Sequence, residues 1–250
     1  MIIKSYSKIN LTLKVNYKSR NGLHEIQTLY SWINLNDQIN INESKKNRDR
    51  IIFKGPFAKL VKKRNNTVLQ LLKKLRELKL ISNYYSIAIT KNIPVFSGLG
   101  GGTGNAAFIL KFLLKSKINN DVLSKLEKVI GTDFKLFFYR QGYLKNLKTI
   151  IEIKKKHKFF LVLIQPKIKC STKEIYSGVK NFSAKENFNK KLIKSKNTFL
   201  DYLQKSRNDL QFVVERKYPL IKKLLKDIKY EKGCNFSRLT GSGSVCYGLF

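Results

Sequence analysis

Acidic side chains are scarce in this chain: 16 Asp and Glu stand against 51 Lys and Arg, a formal charge of +35 over 250 residues. Such a balance points first to a polyanionic partner such as nucleic acid. Two features argue for background composition instead. Lysine far outnumbers arginine and is accompanied by abundant Asn and Ile, as AT-rich coding produces, and the basic residues run along the whole chain rather than forming one arm or stripe. An anionic small-molecule substrate fits either origin. Cysteine is also rare. Cys170, Cys234 and Cys246 match no zinc spacing, and their odd number argues against a disulfide framework. They read as buried, reduced thiols of a cytosol-like compartment. No apolar run approaches the roughly 18–20 residues of a membrane span. The N-terminus enters a strand pattern at once, without a signal-peptide core. Internal repeats and long low-complexity linkers are absent. Hydrophobic residues make up 42%, enough for one large domain or two small ones.

Glycine is infrequent but concentrated. Of 14 glycines, five fall within the 14 residues from Pro94 to Ala107. A strand-like run, Ser86 to Thr90, precedes this stretch, and a helix-like run from Ala106 to about Lys115 follows. A glycine turn opening into a helix presents unpaired N–H groups at the positive end of the helix dipole, a place suited to phosphate. Glycine permits positive φ and close backbone approach. No Gly-Lys-Ser/Thr closes the turn, so it is not a P-loop, and the spacing is only loosely that of a dinucleotide fold.

Alternation of apolar residues predicts a strand from Met1 to Val15, a basic turn over 16–22, and a strand from Leu23 to Leu35. Short strands follow at Asp37 to Ile41 and Ile51 to Lys54, with 42–50 as their hairpin loop. Asn65-Asn66-Thr67 is a plausible cap for a helix over 68–80. A second helix is expected over 121–130, closed by Gly131-Thr132-Asp133. The polar stretch 145–158 is the best domain boundary. Phe159 to Ile164 reads as a fully buried strand, 181–197 as a long loop, and 210–226 as a helix that Pro219 kinks or divides. On pattern alone Lys8 reads as a solvated edge residue, His24 as a turn histidine, Asp133 as a helix-end acid, and Thr240-Gly-Ser-Gly-Ser244 as a hairpin turn.

Several motifs occur together, in order. They are Ser7-Lys8-Ile9-Asn10-Leu11, Gly22-Leu23-His24 running to Tyr30, the Pro94 to Ala107 loop, Gly131-Thr132-Asp133, Ser171-Thr172-Lys173-Glu174-Ile175-Tyr176, Asn208-Asp209-Leu210 and Thr240 to Ser244. The set resembles the GHMP kinase superfamily, small-molecule kinases with a glycine loop before a helix in place of a Walker motif. Within it, the extra glycine after Gly98-Leu99-Gly100 and the Asn105-Ala106-Ala107 ending resemble the members that phosphorylate 4-diphosphocytidyl-2-C-methyl-D-erythritol, in the non-mevalonate route to isoprenoid precursors.

The resemblance implies an α+β fold of two lobes: an N-terminal α/β lobe over 1–150, carrying the glycine loop and the catalytic pair, and a ferredoxin-like C-terminal lobe over 151–250. It implies Lys8 and Asp133 as catalytic residues, with Asp133 at the attacking hydroxyl and Lys8 stabilising its developing charge. Asn10, His24 and Tyr176 would bind substrate, with His24 reading the cytosine edge and Tyr176 stacking on the ring. Asn66 and Lys91 would line the adenine side of ATP. Pro94, Val95, Phe96, Ser97, Gly98, Leu99, Gly100, Gly101, Gly102, Thr103 and Gly104 would wrap its phosphates. Magnesium would accompany ATP, with no protein metal site. The partners implied are a cytidyl-diphosphate small molecule, no specific nucleic acid and no membrane, in a cytoplasmic monomer or weak homodimer. The chain departs from the pattern at Leu23, where an aromatic is usual, at the bulkier Phe96-Ser97, at Gly104 in place of a serine, and in the stretch after Asp133. Another GHMP kinase acting on a different alcohol, and a basic nucleic-acid-binding protein, are the alternatives.

Overall fold

The structure is a computed structural model that describes residues 2–20, 22–62, 64–155 and 157–250, with the Ser116 side chain left aside. Asn21 in the expected turn and Lys156 in the expected boundary lie outside the described residues. In chain order the elements are β1 (Ile2–Asn10), β2 (Lys14–Lys18), β3 (His24–Glu43), β4 (Arg50–Lys54), α1 (Thr67–Glu77), β5 (Tyr85–Thr90), α2 (Gly101–Leu114) and α3 (Asn120–Ile130). There follow β6 (Gln141–Asn146), β7 (Thr149–Glu152), β8 (Leu161–Ile164), α4 (Thr172–Ser177), α5 (Lys196–Lys205), α6 (Asp209–Lys217), α7 (Pro219–Tyr230), β9 (Phe236–Leu239) and β10 (Cys246–Leu249). Among the described residues no helix is long and apolar enough to cross a membrane.

The chain forms two compact units. One takes the chain up to Lys8 with Trp32–Val95 and Gly100–Tyr139; the other takes Ile9–Ser31, Phe96–Leu99 and Arg140–Phe250. These units do not follow a single cut at residue 150. The first half of β3 pairs with β2 and with β6, which draws the early segment 9–31 to the later part of the chain.

In the first unit β5 lies between β3, antiparallel, and β4, parallel. The expected hairpin between 37–41 and 51–54 is therefore corrected. Ile87 and Ile89 of β5 are fully buried, so β5 takes the inner position and β4 pairs with it instead of with β3. β3 also runs unbroken through Asn36, joining the two strands expected on either side of it. Asp37 makes no turn because its carboxylate accepts the N–H groups of Asn92 and Ile93 and pairs with Lys91. Against this sheet packs one apolar cluster. It includes Ile39, Ile41 and Ile87, the α1 stripe Val68, Leu71, Leu72 and Leu75, Ala106 and Leu110 of α2, and Leu126 of α3. Asn66 caps α1 by accepting from the N–H groups of Val68 and Leu69, as its position in the sequence predicts.

The second unit holds the hairpin β6–β7, where the polar boundary was expected, and a separate sheet ordered β8-β10-β9. β8 is an edge strand with Phe160 82% exposed beside it, so the expected fully buried strand is corrected: only β10 is covered on both edges. The segment 181–197 is partly helical, with a 3-10 turn at Lys190–Ile193 and the start of α5, capped by Ser195. The first expected strand is interrupted after Asn10, and Leu13 instead bridges to Asn208. Tyr218-Pro219 divides α6 from α7, proline taking the first-turn position where a missing N–H costs nothing. α7 lies so close to β10 that a Cβ on Gly248 would sit 2.5 Å from Ile228.

Asn208 ties these parts together. Its Oδ1 accepts the Leu210 N–H at the start of α6, and its Nδ2 donates to the carbonyls of Leu239 and Gly241, both at 2.8 Å. Asn208→Ala should leave buried groups unpaired and lower unfolding stability by about 2–3 kcal/mol. Urea denaturation reads this directly, and a loss under about 0.5 kcal/mol would contradict the bonding described.

Candidate active site

In the first unit, Lys8 sits near the end of β1 with only 2% of its surface exposed. A lysine so buried needs a charged partner. It has one in Asp133, whose Oδ2 lies 3.2 Å from Nζ. Asp133 belongs to a 3-10 turn, Thr132–Phe138, entered through Gly131 at φ +124°. The lysine is therefore no solvated edge residue and the acid no simple helix-end cap.

The same turn carries the floor of the glycine loop. A Cβ on Gly100 would lie 2.7 Å from the Phe137 ring, and one on Gly104 would lie 2.9 Å from it. These two positions face one ring because they are four residues apart at the start of α2, where the Gly104 N–H bonds the Gly100 carbonyl. The ring explains the departure at Gly104: serine there would collide with it. Lys8 borders the loop as well, its Cε 3.4 Å from the place of a Gly100 Cβ. Two further side chains hold the turn by its carbonyls: Lys111 Nζ donates to Phe137 O at 2.6 Å and Trp32 Nε1 to Leu136 O at 3.2 Å. Burial pulls the Lys111 ammonium down to about 8.

α2 starts within the glycines. Gly100 is left-handed at φ +70°, and no side chain caps the first turn. The N–H groups of Gly101, Gly102 and Thr103 thus form the open positive end that suits phosphate. Lys91 lies beside this end, its Nζ 3.1 Å from the place of a Gly101 Cβ and paired with Asp37. Burial lowers its pKa, and the Asp37 carboxylate works against that shift. Asn66 stands close to the same turn in the chain of contacts, since Thr67 Oγ1 donates to Gly102 O at 2.8 Å.

The second unit contains Phe96–Leu99 of the loop. The Ser244 and Val245 N–H groups donate to the Phe96 and Ser97 carbonyls, both at 3.2 Å, and Ser97 Oγ accepts the Leu99 N–H. Gly98, at φ +75°, lies against the other glycine–serine segment so tightly that a Cβ would be 2.2 Å from Thr240 O. The 240–244 segment is therefore a clamp on the loop as well as a turn between β9 and β10. Asn10 joins it: its N–H donates to Thr240 Oγ1, its Nδ2 donates to Thr28 Oγ1, and its carbonyl accepts from Tyr247. Phe96 is itself in the left-handed region at φ +58°, with its ring 46% exposed under Lys169.

Also in the second unit, the rings of His24 and Tyr176 lie 5.2 Å apart, tilted by 37°. Burial, with help from Lys18, lowers the His24 pKa, which favours the neutral imidazole with one donor and one acceptor nitrogen. The structure thus brings Lys8, Asp133, Lys91 and Gly100–Gly104 together in one unit, and Asn10, Phe96–Leu99 and the His24–Tyr176 pair into the other. Sequence reading passed over Phe137, Lys111 and Asp37. Only Asp37 carried a signal, since it alternates with Ile39 and Ile41 and so faces inward.

Among the described residues no group of three or more His, Cys, Asp or Glu could hold a metal ion. The contact between Gly104 and Phe137 gives a stability test. Gly104→Ala should lose about 1–3 kcal/mol through overpacking, less any helix-propensity gain, and Phe137→Leu in the same chain should recover part of it. Equal denaturation midpoints for Gly104→Ala and the unchanged protein would contradict the packing.

Residues 66–134 match the N-terminal domain of the GHMP kinases, and residues 184–250 match the GHMP kinase C-terminal domain. The chain is 38% identical to 4-diphosphocytidyl-2-C-methyl-D-erythritol kinase of Pelagibacter ubique, an alignment covering 99% of this chain and 88% of that one. It is 30% identical to the enzyme of the same name from Caldanaerobacter subterraneus, over 99% and 87% of the two chains. A crystal structure of a 4-(cytidine 5'-diphospho)-2C-methyl-D-erythritol kinase superposes with a TM-score of 0.76 at 22% identity, covering 100% of this chain and 90% of that one. A homoserine kinase from Cytophaga hutchinsonii shares the fold at a TM-score of 0.66 and 15% identity, over 100% and 84%. With its glycine turn, its Lys8–Asp133 pair and these relatives, the chain belongs to the 4-diphosphocytidyl-2-C-methyl-D-erythritol kinases of the GHMP kinase family.

Proposed function

We propose that this chain transfers the γ-phosphoryl group of ATP to the 2-hydroxyl of 4-diphosphocytidyl-2-C-methyl-D-erythritol, with Lys8 and Asp133 as its catalytic pair. The carrying observation is the buried Lys8 ammonium 3.2 Å from Asp133 and beside Gly100 of the phosphate turn. Asp133 accepts the hydroxyl proton as the new O–P bond forms and the bond to the leaving ADP breaks. Lys8 stabilises the negative charge gathering on the attacking oxygen and pairs with the Asp133 carboxylate. This division fits phosphoryl transfer, where positioning and electrostatics supply most of the acceleration.

The nucleotide reading rests on the open N-terminus of α2, whose first-turn N–H groups suit the ATP phosphates. The residues from Pro94 to Gly104 form that phosphate-binding stretch, and Asn66 and Lys91 serve the nucleotide from the neighbouring elements. The Lys91 ammonium lies beside Gly101 and is paired with Asp37. Magnesium arrives with ATP. A magnesium ion of this kind is held mainly by phosphate oxygens and water. Thr103 is the one hydroxyl among residues 100–104 and takes over from the serine absent at Gly104.

On the acceptor side, neutral His24 hydrogen-bonds the cytosine edge and Tyr176 stacks on the base. Asn10 serves the substrate by ordering the segment around Thr240. Three free thiols suit a reducing, cytoplasmic location.

A coupled assay of ADP release with ATP and Mg²⁺ tests the reading. ADP should form when the cytidyl substrate is added and stay at background without it, or with mevalonate or homoserine in its place. ADP release that ignores the cytidyl substrate, or that follows one of the other alcohols, would overturn the assignment.

A further inference from the structure

Leu23 stands where an aromatic ring is expected beside His24, and that would leave Tyr176 as the only ring for the base. The fold brings a second ring to the same histidine. Phe182, in the segment after α4, has its centroid 6.3 Å from the His24 ring at an interplanar angle of 36°. Tyr176 meets His24 at 37°. Phe182 is 45% exposed, so the core does not account for it.

An exposed phenylalanine on a loose loop would mean little, but the next residue is anchored on all sides. Ser183 N–H donates to Val15 O at 2.8 Å and its Oγ donates to Asp209 Oδ2 at 2.6 Å. Its carbonyl accepts from Asn16 Nδ2 at 3.0 Å, and Arg207 Nη2 donates to its Oγ at 3.2 Å. Four hydrogen bonds from β2, Arg207 and Asp209 thus hold the backbone that presents the ring. The ring is thereby held at a fixed place beside His24, which limits the ordering cost of using it to bind.

We infer that Phe182 is a specificity-determining residue of the acceptor site, supplying with Tyr176 the aromatic surface for the pyrimidine that Leu23 does not. The inference rests on the acceptor reading given above. The ring acts by stacking on a planar heterocycle whose edge His24 reads, so it contributes to binding and takes no part in the transfer step. Stacking of a base on an aromatic side chain is sequence-tolerant and strong enough to be measured as a change in affinity.

The test compares Phe182→Ala, Phe182→Leu and Phe182→Tyr in steady-state kinetics, with cytidine diphosphate titrated as a binding probe. Phe182→Ala and Phe182→Leu should raise the KM for the cytidyl substrate and the Kd for cytidine diphosphate by about tenfold. kcat and the KM for ATP should stay within about twofold, and Phe182→Tyr, which keeps a ring, should restore wild-type values. If His24→Ala raises that KM while Phe182→Ala does not, the acceptor reading stands and the role of Phe182 is refuted. A fall in kcat, or an equal rise in the KM for ATP, refutes it as well. If the unchanged protein shows no turnover that depends on the cytidyl substrate, the acceptor reading itself fails.

Discussion

The ring of Phe137 sets the geometry on which the first unit's chemistry depends. It comes from the same 3-10 turn as Asp133 and fills the space that side chains at Gly100 and Gly104 would need. Packing is unforgiving at such distances, because a close-packed interior yields little to an added methyl group. Asp133 and the glycine turn are therefore held by one rigid contact. Lys111 and Trp32 reinforce it by bonding the carbonyls of Phe137 and Leu136. A serine at Gly104 would meet the Phe137 ring in that arrangement.

Acidic residues are few, and three of them each organise a segment. Asp133 partners the buried Lys8. Asp37 holds Lys91 and the backbone leading to the glycine loop. Asp209 accepts the Val15 N–H and the Ser183 hydroxyl and pairs with Arg207. In a chain of +35, a buried carboxylate is readily compensated, whereas a buried lysine is not. The placement of these three acids therefore says more about the site than the positive surface does.

Much of the site could be read from the sequence because its parts are local. The glycine turn announces itself by composition, Asn66 by its place before a helical stripe, and the Asn208 cap by the helix that follows. Lys8 could not be read from pattern alone: a lysine at a strand end looks solvated until Asp133, 125 positions later, is known to face it at 3.2 Å. Strand partners were equally hidden. β4 joins β5 instead of the preceding strand because Ile87 and Ile89 are covered on both edges, and no local property of 42–50 reveals that. The β6–β7 hairpin was missed because its exposed residues, Lys145, Lys148, Thr149 and Glu152, are polar and read as linker. Phe137 and Phe182 lie in no motif, and only long-range contacts give them meaning.

The proposed transfer requires Lys8 and Asp133 to act as one unit, which a double-mutant cycle on kcat addresses most directly. Lys8→Met and Asp133→Asn should each lower kcat by at least about 100-fold, with the KM for ATP little changed and the fold intact by circular dichroism. Because each side chain works through the other, the double variant should be scarcely slower than the worse single one. Losses that multiply in full, or a single variant that keeps most of its kcat, would contradict the pairing on which the mechanism rests.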